Sequence, residues 1–375
     1  MKYIDEFRDG ATARGLARRI VQEARPDRRY HLMEFCGGHT HAIYRHGIPN
    51  LLPASVRMIH GPGCPVCVLP IGRLDQALDL ATRPEVILCS YGDMLRVPGS
   101  GGRSLLKAKA AGADIRMIYS AADALALAQR HPDREVVFFA IGFETTTPPT
   151  ALIIQQAAQL DLPNFTVFCN HVLTPPAIVH LLAAPEAREL EAVPIDGFLG
   201  PAHVSVVIGS EPYERFAHDY QRPVVIAGFE PLDVMQSILM LVCQLNEGRA
   251  EVENQYTRAV THEGNRKAQR LMADVFEPRP VFEWRGLGPI PHSALQIREH
   301  YARFDAERRF PMTERTATEP RACLCGAILR GVKKPTDCKL FDTACTPETP
   351  LGACMVSSEG ACAAYYRYGR YQEVA

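Results

Sequence analysis

The sequence predicts an α/β protein: two small, doubly wound parallel-sheet domains followed by a mainly helical, Cys-rich C-terminal domain. Three observations carry this prediction. Short apolar runs alternate with stretches of helical periodicity, as a parallel sheet covered on both faces requires. The runs fall into two blocks of about four, which suits two small sheets better than one large one. From Pro231 onward the apolar residues change to helical spacing, and half of the 12 cysteines crowd into the final stretch.

Taken in order, residues 5–25 read as an Arg- and Ala-rich helix, with Ile4, Phe7, Leu16, Ile20 and Val21 on an inner face. The first block of strands comprises Tyr30–Phe35, VRMIHGPG from 56, EVILCSYGD from 85 and DIRMIYS from 114, with helices over Ile71–Ala81 and Ser104–Ala111. The second comprises EVVFFAIGFETT from 135, NFTVFCNH from 164, IDGFLGPAH from 195 and RPVVIAGFE from 222, with helices near Thr150–Leu160 and Pro176–Leu182. The expected domains are therefore 1–130, 131–230 and 231–375. In the last, Leu232, Met235, Ile238, Leu239, Val242 and Leu245 mark one helix, and the polar run Asn246–Arg270 suggests a second, more exposed one. Prolines and glycines over 276–293 indicate a loop or short strands around Trp284.

Lys and Arg total 41 against 42 Asp and Glu, so net charge argues for neither nucleic acid nor a membrane surface. The N-terminus lacks an apolar signal core and no apolar segment is long enough to span a bilayer, so a cytoplasmic location is expected. In such a reducing compartment, 12 cysteines point to metal or redox chemistry rather than to a disulfide framework.

The first chemical signal is CGGHTH, residues 36–41, where an apolar strand hands Cys36 to a Gly-rich turn. Backbone N–H groups at a helix start are expected to lower the thiol's pKa, and a thiolate is both nucleophile and soft metal ligand. The second is GPGCPVC, residues 61–67, where Cys64 and Cys67 form a Cys-x-x-Cys pair at another helix start. By the strand-end rule these three sulfurs should share one crevice, with His39 in reach. Across it, Glu144, His171, His203 and Glu230 end strands of the second block and would line the opposite wall, although each alone would serve equally as a cap or core group. VPGSGGRS, near Gly102, lacks the Lys-Ser/Thr of a nucleotide loop and reads as a flexible turn.

The fourth signal lies in residues 323–362, where six cysteines and no histidine are interrupted by Pro- and Gly-bearing turns. Sulfur-only ligation selects an iron–sulfur cluster or structural zinc. The gaps from Cys325 through Cys338 and Cys345 to Cys362 are 12, 6 and 16 residues, wider than the paired short spacings of zinc ribbons, and favour a cluster.

Together, CGGHTH, GPGCPVC, GFETT at 142–146, GPAH at 200–203 and the tail through SSEGACAAYYRYG at 357–369 resemble the HypD family of nickel–iron hydrogenase maturation proteins over nearly the whole chain. The resemblance implies a redox-active scaffold with two Rossmann-like domains and a third holding a 4Fe-4S cluster. On it an iron carrying two cyanides and one carbon monoxide is built. It implies HypC, a chaperone sharing the iron, and HypE, a cyanide donor, as partners, with the hydrogenase large subunit reached through HypC. Carried over, Cys36 binds the iron and Cys64 and Cys67 form the redox pair. Cys325, Cys338, Cys345 and Cys362 hold the cluster, which leaves Cys323 and Cys354 over. His39 stands near the iron, and Glu144 and His203 belong to the facing cleft. Two readings compete: an iron–sulfur thiol–disulfide reductase acting on a partner, and a zinc-bearing docking module.

Overall fold

The structure is a computed structural model that describes residues 5–183, 194–313 and 322–369. Two all-parallel sheets organise it. The first contains β1 (Tyr30–Glu34), β2 (Val56–His60), β7 (Gly197–Pro201), β8 (Val224–Ala227) and β9 (Val252–Asn254), in the order β2-β1-β7-β8-β9. The second contains β3 (Val86–Tyr91), β4 (Ile115–Ile118), β5 (Glu135–Gly142) and β6 (Phe165–His171), in the order β4-β3-β5-β6. Every expected strand forms, and the fold is α/β with doubly wound sheets.

The strands do not sort at residue 130 as expected. β1 and β2 pair with β7 and β8, while everything from 86 to 171 builds the other sheet, inserted between β2 and β7. Apolar patterning marks a segment as a buried strand but does not name its neighbours, and both blocks carry the same pattern. A strand was also missed: Val252–Asn254 continues the first sheet inside the run expected to be helical, and the helix there covers only Arg266–Val275.

The stretch 231–375 is likewise not a mainly helical domain of its own. The helix Pro231–Glu247 buries Val234, Met235, Ile238, Leu239, Leu241 and Val242 in one cluster with Leu32 of β1, Leu199 of β7 and Ile20 of α1 (Gly10–Glu23). At ~1.5–3 kcal/mol for each apolar side chain, that face contributes on the order of 10 kcal/mol, comparable with a whole domain's net stability. It cannot detach from the first sheet. Of the expected inner face of α1, Ile20 is fully buried, Val21 is 55% exposed, and Ile4 lies outside the described residues. Two small antiparallel ribbons follow, β10 (Phe276–Pro278) with β13 (Leu295–Ile297) and β11 (Val281–Trp284) with β12 (Gly288–Pro291). The Cys-rich tail consists of loops and short helices, among them Cys325–Leu329 and Ala361–Tyr368.

One carboxylate ties this later segment to the second sheet. Glu307 bonds both Arg73, on α4 (Ile71–Ala81; α3, Pro65–Val68, precedes it), and Arg279. Arg73 also donates to Asn170 of β6 at 2.6 Å and lies 4.1 Å over the Phe168 ring. Burial alone would push the Glu307 carboxyl up, but the two guanidinium groups hold it at about 2, below its ordinary 4.5. Its contribution is therefore complete above pH 4.5 and is lost as pH falls toward 2. Glu307→Ala, which leaves two largely buried cations without their acid, is expected to cost ~3–5 kcal/mol in urea unfolding. Glu307→Gln should remove this acid-sensitive component, and an unchanged urea midpoint in either variant would refute the role.

Candidate functional site

In each sheet the strand order reverses once, between β1 and β7 in the first and between β3 and β5 in the second. Open α/β sheets bind ligands beyond the carboxyl ends of strands at such reversals. Beyond β1 stands Cys36, and beyond β7 stands His203. Beyond β5 comes the Phe143–Thr146 turn. A cleft of about 390 Å³ joins them, lined by Gly38, Gly63, Pro65 and His203 on one side and Gly142, Phe143, Thr145 and Thr146 on the other. Glu359 and Phe229 complete it. Strand ends of both sheets thus face one cleft, but its walls are not those expected: Cys36, Cys64 and Cys67 are not among its lining residues, and His203, expected opposite the sulfurs, comes from the same sheet as Cys36.

Cys36 is the N-cap of α2 (Gly37–Arg45), and its sulfur accepts the Gly38 N–H at 3.3 Å. His203 Nδ1 lies 3.6 Å from the same sulfur. The turn is tight from both sides: a Cβ on Gly63 would collide with the Phe35 carbonyl, and one on Gly37 would collide with Glu359. That second contact presses the SSEGAC segment of the tail onto the CGG turn.

The expected lowering of the Cys36 pKa does not occur. Burial pushes the thiol up, Glu359 and Glu34 add to it, and the N–H groups of His39 and Gly38 oppose without prevailing. Cys64, N-cap of α3, and Cys67 are likewise held up, chiefly by burial. The N–H groups at one helix start are too few to offset removal of a thiolate from water. His203 is pushed down to about 4 by burial, with His39 contributing, so it is neutral near pH 7 and presents the sulfur with an uncharged ring nitrogen.

Beneath Cys36 lies a polar network that patterning did not reveal. Glu34, fully buried at the end of β1, accepts the Cys36 N–H at 2.9 Å through one oxygen. Its other oxygen meets Thr40 and, at 2.6 Å, His60 Nδ1, while His60 Nε2 lies 2.9 Å from the Tyr44 hydroxyl. The available signal was a lone acid in the apolar run YHLMEF, one pleat before the thiol.

The remaining expected residues divide. His39 is fully buried on α2, with Nε2 3.1 and 3.0 Å from the Ala227 and Gly228 carbonyls, so Nε2 carries the hydrogen. Its Nδ1 is buried without a hydrogen-bond partner, and its ring, like that of His203, packs on Phe229. Glu144 does not line the cleft: it accepts the Thr174 N–H at 2.7 Å and the Thr174 hydroxyl at 2.8 Å, anchoring the helix Thr174–Ala183. His171 lies 2.9 Å from Thr150 Oγ1 in the core, and Glu230 pairs with Arg8.

The sulfurs converge. Cys64 and Cys67 contact each other, Cys67 contacts Cys354, Cys354 contacts Cys325, and Cys325 contacts Cys323. All six tail cysteines line one chamber whose other walls include Ile328, Leu340, Phe341 and Met355. Among the described residues no three His, Cys, Asp or Glu side chains are already arranged to hold a single metal ion.

Fold and site define an α/β protein that gathers buried thiols beside a cleft lined from both of its parallel sheets. The family model HypD, described as "Hydrogenase formation hypA family", matches residues 11–369. The chain is 70% identical over 375 residues to "Hydrogenase expression/formation protein HupD" of Azotobacter chroococcum mcd 1, covering 100% of this chain and 99% of that one. It is 67% identical over 374 residues to "Hydrogenase maturation factor HypD" of Cupriavidus necator and 49% over 379 to its Escherichia coli namesake, each alignment covering 100% of this chain and 99% of the relative. The chain belongs to the HypD family of hydrogenase maturation factors. Among the described residues no helix is long and apolar enough to cross a membrane.

Burial raises the Glu144 carboxyl from 4.5 to about 7 against the two Thr174 bonds, so its protonated form favours folding and that contribution is lost as pH rises through 7. Glu144→Gln keeps both bonds without the charge. Its stability relative to wild type should rise by on the order of 2–3 kcal/mol between pH 4.5 and 8. A flat difference in urea midpoint across that range would refute the raised carboxyl.

Proposed function

We propose that this protein is the scaffold on which the iron centre of a nickel–iron hydrogenase, carrying two cyanides and one carbon monoxide, is assembled. The observation that carries the reading is Cys36 at the switch point, its sulfur 3.6 Å from His203 Nδ1 beside the cleft shared by both sheets. Iron binding needs the thiolate. The buried thiol stays protonated until ferrous iron competes for the sulfur and displaces the proton to solvent through the adjoining cleft, while neutral His203 adds no second positive charge beside the metal. His39 Nδ1, a buried lone pair without a partner, is the nearby polar group that an incoming ligand would satisfy. The cleft, walled by glycines and Thr145 and Thr146, admits a slender segment such as a thiocyanate-bearing chain end of HypE, while HypC shares the iron and passes it toward the hydrogenase large subunit.

Releasing cyanide from a thiocyanate consumes two electrons. The Cys64/Cys67 dithiol can supply them: R–S–C≡N and two thiols become R–SH, HCN and one disulfide, with atoms and electrons in balance. The line of thiols from Cys64 through Cys67 and Cys354 to the chamber supports this role. The chamber's six-thiol, histidine-free lining fits an iron–sulfur donor set. Cys325, Cys338, Cys345 and Cys362 would hold a 4Fe-4S cluster there, which when bound would be the electron source for restoring the dithiol. A reducing compartment such as the cytoplasm suits this chemistry.

Infrared spectroscopy of the protein purified with HypC tests the proposal. Wild type is expected to show bands of metal-bound cyanide and carbon monoxide, Cys36→Ala to lose them together with its iron, and Cys64→Ala to lose most cyanide intensity. Bands of normal strength in Cys36→Ala would refute the anchor; in Cys64→Ala they would refute the redox pair.

A further inference from the structure

A groove of about 660 Å³ lies apart from the cleft, between the loop around Gly99–Ser104 and the loop Glu348–Leu351. We infer that it docks a small acidic electron-carrier protein that restores the dithiol, an inference that rests on the redox reading above.

Charge is the first reason. Arg96, Lys107 and Arg285 line the groove against one carboxylate, Glu348. Arg96 and Lys107 are exposed and donate to the carbonyls of Pro347 and Gly102, contacts that hold the side chains without neutralising them. A cationic groove steers an acidic partner and rejects a basic one.

Apolar surface is the second. Leu106 and Leu351, two of the chain's exposed large apolar residues at 49% and 40%, belong to the same groove. A small anion would leave them wet, whereas a protein would cover them, and the mixture of apolar anchors and Arg is the composition of a protein interface. Redox encounters use small interfaces of this kind.

Position is the third. Leu351 donates its N–H to the Cys345 sulfur at 3.3 Å, and the next residue, Gly352, lines the sulfur chamber. On the other wall Arg285 donates its N–H to Val68 at 2.8 Å, at the end of the helix that carries Cys67. The groove therefore abuts both thiol groups through single residues. Each cyanide released converts one dithiol to a disulfide, and returning it takes two electrons and two protons. Two encounters with a one-electron iron–sulfur carrier, each oxidising one ferrous iron to ferric, supply the electrons, and solvent supplies the protons.

The experiment uses full-length protein and a plant-type 2Fe–2S ferredoxin as probe. Fluorescence anisotropy gives its Kd at low and high salt, and thiol counting follows reduction of the Cys64/Cys67 disulfide by reduced ferredoxin or by dithionite. The double variant Arg96→Glu, Lys107→Glu and the single variant Leu106→Ala alter only exposed side chains. Wild-type binding should weaken with salt. The double variant should bind about tenfold more weakly, lose the salt dependence and be reduced more slowly by ferredoxin, with dithionite acting equally on both. Equal Kd and equal ferredoxin rates, with dithionite still effective, would overturn the docking site and leave the redox reading standing. If neither reductant changes the thiol count in wild type, both fall.

Discussion

The constraint on which this molecule depends is that its sulfurs are kept out of water. Thiols can be gathered in an apolar interior because the neutral form is a small hydrophobe, whereas a thiolate there is costly. Burial accordingly dominates the behaviour of Cys36 and Cys64 and pushes both up. Helix starts at both cysteines soften this without reversing it. The result is a set of sulfurs that do not react indiscriminately and become ligands or reductants when a metal or an electrophile reaches them.

The chain's path through the two sheets creates that arrangement. β1 and β2 are adjacent and parallel, in register from Tyr30 with Val56 to Glu34 with His60, so their carboxyl ends present Cys36 and the Gly61–Cys64 turn side by side. The Gly61 N–H bonds Glu34 and the Gly37 N–H bonds Gly63, which laces the two turns together. From that junction α3 and α4 carry the chain into the second sheet, and the return through β7 brings His203 beside Cys36. Inserting the second sheet between β2 and β7 is therefore the route by which both walls of the cleft come to share one site.

Much of this was legible in the sequence. Each of the eight expected strands formed, because runs such as VVFFAIG are too apolar for anything but a sheet buried on both faces. Cys36 read correctly as the residue beyond a strand end, and Cys64 and Cys67 as a pair at a helix start. Sheet membership was not legible, since β2 and β3 have the same local pattern and the pairing of β1 with β7 shows that the first sheet resumes after the second is complete. Nor was the balance at Cys36, because a helix start is a local feature whereas the opposing charge of Glu359 and the ring of His203 come from residues far away along the chain.

Acids account for the rest of what the sequence concealed. Glu34 and Glu144 both stand within three residues of a glycine at a strand end, and residue type alone suggests equal claims on the chemistry. Their partners separate them. Glu144 spends both oxygens on Thr174, so its task is to seat a helix behind the cleft wall. Glu34 spends one oxygen on the backbone of Cys36 and the other on His60 and Thr40, so it sets the direction in which the thiol leaves the strand. A carboxylate held there fully buried is tolerable only because each oxygen has its donors. The same donors fix the peptide of Cys36, so the sulfur's position relative to His203 follows from a side chain that never touches it.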